Sequence, residues 1–254
     1  MTVRVDSKGI IERLERERRG APSAMAFDAD GTLWSGDVGE DVFEFACENG
    51  LLREPARAEL ARIAQGHGLE PRGTPSDLAR ALYAAYRRGL VDERLTCEIM
   101  TWSYAGSSIA ELRAMARNAF EKRGLRARVR DELGPVRQWA EREGVRVAVV
   151  SASPEAIVIE ALDFVGISVF AVAGAVPVVM DGTIAPRMAA PVPYGSDKCT
   201  AGLRVLSGHD WLASFGDNSF DVDLLRAARV RVAVHPKPAL VARLGEIEDV
   251  LVVS

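Results

Sequence analysis

Short apolar runs that stop abruptly at a polar residue recur along this chain, in AMAFDAD, VRVAVVSAS, WLASFGD and VRVAVH, with segments of helical periodicity between them. A short run of apolar residues with no polar alternation suits a strand covered on both faces. Strands of that kind alternating with helices imply a doubly wound parallel sheet. The expected class is therefore α/β.

One long stretch departs from the alternation. From 36 to 127 the segments VGEDVFEFACENGLL, EPARAELARIAQ, TPSDLARALYAAYRRG, VDERLTCEIMTWSYAG and SIAELRAMARNAFEKRG all place apolar residues at three and four spacing, and several close on glycine. Ser76 or Thr74 is expected to cap one of these helices, and Ser107 or Ser108 another. The reading is an all-helical cap domain over 36–127, inserted into an α/β core domain formed by 1–35 and 128–254. A soft prior of about 150 residues per domain agrees with two unequal units. An amphipathic helix over 10–19 opens the core. In the second part, Asp181-Gly182 between apolar runs signals a hairpin, and VRVAV is expected to be the last strand.

Composition narrows the function. With 48% hydrophobic and 27% charged residues and no apolar run of membrane-spanning length, the chain reads as globular, with no membrane partner. MTVRVDSKGI lacks the apolar stretch of a secretory signal, which points to the cytoplasm. Cys47, Cys97 and Cys199 lie far apart and form no C-x-x-C pair, so they read as reduced, mostly buried thiols. A net charge of −4 without a basic stripe gives no footprint for nucleic acid.

In open parallel sheets, residues just beyond the carboxyl ends of the strands share one crevice. Here those positions supply Asp28 and Asp30, Ser151 and Ser153, and Asp217 with Asp221 one turn further on, while Lys198 opens a helix that reaches the same place. Carboxylates gathered in a poorly solvated crevice repel one another unless a cation neutralises them. An oxygen-only ligand set favours Mg²⁺. A carboxylate nucleophile with Mg²⁺, a lysine and a serine around it forms a receptor for a phosphoryl group.

With these residues in view, the chain resembles phosphatases of the haloacid dehalogenase superfamily, in the branch that includes phosphoserine phosphatase. DADGT resembles the first family motif, VVSAS the second, the lysine of GSDKC the third and GDNSFD the fourth, in the family's order. The resemblance implies that Asp28 attacks phosphorus and becomes an aspartyl phosphate, and that Asp30 protonates the leaving alcohol and then activates water. It implies that Ser151, with the adjoining Ala152, and Lys198 bind the phosphoryl group, and that Lys198 also holds Asp28. The Mg²⁺ would be held by Asp28, the Asp30 carbonyl and Asp217, with Asp221 supporting. Asp30 speaks against carbon–halogen cleavage, because relatives that carry it out lack an acid at that place.

The helical insertion is expected to read the rest of the substrate, a small phosphorylated metabolite. Where similar phosphoserine phosphatases place an ammonium-binding glutamate, this chain has Asp37, and where they place a carboxylate-binding arginine an ungapped count gives Glu98. Arg87, Arg88 or Arg94 remain substitutes, and Phe220 stands in place of an asparagine. The substrate reading is therefore phosphoserine-like or an amino-alcohol phosphate. Trp34, Trp102 and Tyr104, with the acidic run 37–41, are read as a pocket for an organic cation, with Trp102 and Tyr104 alternatively core residues of the insertion, and His235 as the one histidine near the crevice. Phosphoryl transfer to a second alcohol and a non-catalytic phospho-ligand sensor stand as alternatives. The chain is expected to be a monomer or homodimer.

Overall fold

The computed structural model describes residues 3–20 and 22–254. Its strands are β1 Val3–Arg4, β2 Ser23–Phe27, β3 Arg146–Pro154, β4 Ala171–Ala175, β5 Pro177–Met180, β6 Thr183–Met188, β7 Asp210–Gly216, β8 Val230–Val234 and β9 Val250–Val253. Seven of them form one sheet in the order β1-β9-β8-β7-β2-β3-β4, and β5 pairs with β6 in a separate hairpin. Every pairing in the large sheet is parallel.

The strand after VRVAV is a correction. β9 follows β8 and carries β1 on its outer edge. β1 is two residues long and shows no period in sequence, whereas β9, VLVV, is itself a short apolar run; parallel neighbours supply the hydrogen bonds of both, as when the Val5 N–H donates to the Val252 carbonyl at 2.9 Å.

β2 is buried along its whole length between β7 and β3. Its two faces differ in size. Met25 and Phe27 join the main core, where Phe27 stacks on Phe215, whereas Ala24 and Ala26 join Ala148, Val150 and Ala173 in a small-residue face. That shallow face lets the helix over Ser196–Val205 approach the sheet closely.

The core helices are α1 Ser7–Glu17, α7 Gly134–Arg142, α8 Glu155–Val165, α9 Ser196–Val205, α10 Val222–Ala227 and the short α11 Pro238–Val241. Between β2 and β3 lies the helical insertion: α2 Val38–Glu48, α3 Arg57–Gly66, α4 Pro75–Tyr86, α5 Glu93–Trp102 and α6 Ile109–Arg123. Thr74 caps α4 and Ser108 caps α6, each in a reciprocal capping box, with Asp77 and Glu111 respectively. Gly124 ends α6 in the left-handed conformation.

The insertion leaves and rejoins the core at one seam. The Ser35 N–H donates to the Arg128 carbonyl and the Arg130 N–H to the Leu33 carbonyl, both at 2.9 Å. On its far side the insertion touches the β5–β6 hairpin through a reciprocal pair, Gly106 N–H to the Ile184 carbonyl and Ile184 N–H to the Ser107 carbonyl, both at 2.9 Å.

Candidate active site

The site begins where β2 ends. The Asp28 N–H donates to the Phe215 carbonyl at 2.9 Å, extending the ladder to β7 by one residue and fixing Asp28 at the carboxyl edge of the sheet. Asp28 Oδ1 lies 2.5 Å from Lys198 Nζ, and Oδ2 accepts from Thr32 Oγ1 at 3.1 Å. Lys198 is fully buried near the start of α9, and its ammonium also lies 2.5 Å from Asp221 Oδ1. Burial opposes its charge, but Asp221 and Asp28 outweigh that and raise its pKa. Burial pushes Asp28 well above the usual carboxylate range against the pull of Lys198, with Asp221, Asp217 and Asp30 adding to the rise.

Asp28, Asp217 and Asp221 bring carboxylate oxygens within 4.8 Å of one another. They are not equivalent. Asp221 is committed on both sides: Oδ1 takes Lys198, and Oδ2 accepts the N–H groups of Asp217 and Asn218 at 3.0 and 2.9 Å. Asp217 is half committed. Its Oδ2 lies 3.0 Å from Lys237 Nζ, while its Oδ1 is buried with no hydrogen-bond partner. Burial raises Asp217 to about 6, opposed by Lys237. Gly31, at a φ of 86°, makes room for this carboxylate, since a Cβ there would overlap it. An orphaned buried oxygen beside Asp28, in an all-oxygen set, fits a hard divalent cation.

Asp30 faces the other way. Its Oδ1 accepts from Trp34 Nε1 and from the Val38 N–H, both at 2.8 Å, and its Oδ2 accepts from Ser153 Oγ at 2.7 Å and from Ser151 Oγ at 3.5 Å. Ser151 Oγ in turn accepts the Ser153 N–H at 3.0 Å. The two aspartates thus face separate surroundings: Asp28 a lysine and acids, Asp30 hydroxyls and N–H donors.

Beyond Asp30 a small chamber of about 30 Å³ opens under the insertion, lined by Asp37, Glu40, Tyr86, Glu93, Thr96, Cys97, Met100, Ala152, Ser153 and Pro154. No basic side chain lines it. Asp37 caps α2 by accepting the Glu40 N–H at 2.8 Å, and burial pushes it well up, with Asp30 and Glu40 adding to the rise. Glu93 accepts from Tyr194 Oη at 2.9 Å. The larger grooves lie elsewhere; one of 730 Å³ at the opposite end of β3 is lined by Arg137, Arg146 and Phe170 and contains none of the strand-end acids.

Several expectations are corrected. Trp34, Trp102 and Tyr104 form no cation pocket: all three are buried in the core, and Trp34 spends its N–H on Asp30. His235 turns to Glu132, with Nε2 at 2.7 Å from its Oε1. Arg94 pairs with Asp197, and neither it, Arg87, Arg88 nor Glu98 lines the chamber. Cys47 is buried, but Cys97 and Cys199 are only partly so; all three are free thiols. Thr32, Glu93, Tyr194 and Lys237 escaped the sequence reading. Lys237 follows β8 closely, so the same strand-end rule that found Asp28 would have raised it.

Comparison with known proteins identifies the family and the fold. The sequence profile of the haloacid dehalogenase-like hydrolases matches residues 25–226, and the chain belongs to that family. No curated protein sequence matches it. Among solved structures, a protein of unknown function from Bordetella pertussis Tohama I is 21% identical, with a TM-score of 0.68, over 92% of this chain and 99% of that one. A cytosolic 5′-nucleotidase IIIB bound to cytidine is 16% identical, with a TM-score of 0.60, over 96% and 84%. A substrate-bound phosphoserine phosphatase is 13% identical, with a TM-score of 0.55, over 92% and 94%. These likenesses show a common fold. Among the described residues, no helix is long and apolar enough to cross a membrane.

Proposed function

We propose that this chain is a Mg²⁺-dependent phosphatase that hydrolyses a small phosphate monoester through an aspartyl-phosphate intermediate. The observation that carries this reading is the division of labour between two neighbouring acids: Asp28 against the buried Lys198, Asp30 against the serines and the chamber. Asp28 attacks phosphorus as the bond to the leaving oxygen breaks, and Asp30 gives its proton to that oxygen. Asp30 then takes a proton from the water that attacks the Asp28 phosphate, which releases inorganic phosphate and restores the carboxylate.

Lys198 and Ser151, with Ala152 beside it, hold the phosphoryl oxygens, and Lys198 also orients Asp28. Asp28, Asp217 and the Asp30 carbonyl would hold the Mg²⁺, with Asp221 behind them fixing Lys198 and the turn at 217–218. When bound, the cation supplies positive charge to the phosphoryl group.

Residues 36–127 serve as a cap domain on the core of 1–35 and 128–254. The chamber beneath the cap lies on the leaving-group side and, at about 30 Å³, widens to receive that group when the cap moves. Its carboxylates at Asp37, Glu40 and Glu93 favour a cationic or neutral group, as in a phosphoserine-like or amino-alcohol phosphate. The test is phosphate release from a panel of small phosphomonoesters with and without Mg²⁺, beside an Asp28→Ala control. Release that depends on both is expected; release that survives loss of Asp28 refutes the mechanism.

A further inference from the structure

Lys237 is attached to Asp217 twice. Its main-chain N–H donates to the Asp217 carbonyl at 2.8 Å, and its ammonium lies 3.0 Å from Asp217 Oδ2. Pro236 and Pro238 flank it, restricting the backbone on both sides. Proline at 238 also opens α11, with Lys237 extended at the position before it. The lysine is therefore delivered by a stiff segment rather than by a free surface loop.

The carboxylate it meets is 2% exposed, whereas the lysine side chain is 51% exposed. Only one Asp217 oxygen is engaged; the other, Oδ1, is buried and has no partner. Gly31, lacking a Cβ, lets the backbone approach this same carboxylate closely. Asp217 thus offers a single, oriented oxygen to anything bound between it and Asp28.

We infer that Lys237 is a positioning residue that holds Asp217 to one-oxygen coordination and thereby sets which divalent cation the site prefers. The inference rests on the cation reading given above and deepens it. Mg²⁺ accepts single oxygens in a tight octahedral shell, whereas Ca²⁺ takes more ligands at longer range and readily uses both oxygens of a carboxylate. A lysine that occupies the second oxygen removes one option that Ca²⁺ uses and Mg²⁺ does not. Asp28 and Asp37, the other acids whose charge Lys237 feels, attract the ammonium without diverting it from Asp217.

The experiment is calorimetric titration of the substrate-free protein with Mg²⁺ and with Ca²⁺, for the parent, Lys237→Met and Lys237→Arg. In Lys237→Met the ratio of Ca²⁺ to Mg²⁺ affinity is expected to rise by about tenfold as the freed oxygen becomes available, whereas Lys237→Arg keeps a ratio near the parental one. An unchanged ratio in Lys237→Met overturns the inference. Equal tightening of both ions overturns it too, because it would reduce Lys237 to a competing charge. A parent that binds neither ion overturns the cation reading and this inference together; a parent that binds Mg²⁺ beside a variant of unchanged ratio overturns this inference alone. Thermal melting of each variant without metal, set beside the parent, separates altered coordination from altered folding.

Discussion

The ammonium of Lys198 lies 2.5 Å from Asp28 Oδ1, with the lysine fully buried and the aspartate nearly so. Neither charge is solvated: Asp28 depends on Lys198 for its counter-charge, and Lys198 is held by Asp28 and Asp221 together. Lys198→Met leaves two buried carboxylates without a cation and is expected to destabilise the metal-free protein by about 3–5 kcal/mol, as loss of one partner from a buried pair does. Urea unfolding followed by tryptophan fluorescence checks this. A midpoint equal to that of the parent would show that the pair does not matter to the fold.

Asp30→Asn keeps an oxygen to accept from Trp34 and Val38 but has no proton to give a leaving alkoxide. Phosphate release from alkyl esters should fall by about 10²–10⁴-fold. An aryl ester with an acidic leaving group needs no such proton and should lose much less in the formation of the intermediate. Single-turnover kinetics on the two esters measures the contrast; equal losses would remove Asp30 from the role of general acid.

Gly31→Ala combines a left-handed backbone with a Cβ that overlaps Asp217. The expected outcome is a loss of at least about 1 kcal/mol of stability, together with weaker Mg²⁺ binding by calorimetry. A variant that binds Mg²⁺ as the parent does would show that the carboxylate can shift at no cost.

Glu111 contributes to acid sensitivity from within the insertion. Glu111 is pulled from 4.5 to about 2, chiefly by its hydrogen bond with Arg53 and then by the Ser108 N–H. A carboxyl with a depressed folded-state pKa binds fewer protons folded than unfolded, so its contribution is present above about pH 4.5 and is lost as pH falls toward 2. The difference in melting temperature between the parent and Glu111→Gln should be steady above pH 5 and shrink below it. A difference that grows on acidification would reverse the sign and the explanation.

The central strands and their terminal polar residues were legible because each signal is local: a buried strand is an apolar run, and the residue after it lies at the crevice. Asp28, Asp30, Ser151 and Asp217 follow from that rule alone. Lys237 also follows a strand, yet its partner is on another loop, and no local pattern ties a lysine in HPKP to Asp217. The chamber was illegible for a similar reason: Glu93 reaches it from α5, and Tyr194, which engages Glu93, comes from the segment before α9. Trp34 was read as a pocket wall because an indole suits a cation; its complete burial places it in the core instead, with its N–H on Asp30. β1, at two residues, is too short to carry a period, and pairing with β9 creates it.

The seam at which Ser35 meets Arg128 has a consequence for descent as well as for folding. The chain departs and returns through adjoining hydrogen bonds, next to the paired strands β2 and β3. The closure cost of a flexible loop grows by only about 0.6 kcal/mol per doubling of length. Helices beyond the start of α2, whose Val38 N–H holds Asp30, can therefore be lengthened or replaced at this place while the acids at the strand ends stay where they are. A lineage built on such a joint can keep its chemistry constant and revise its diet.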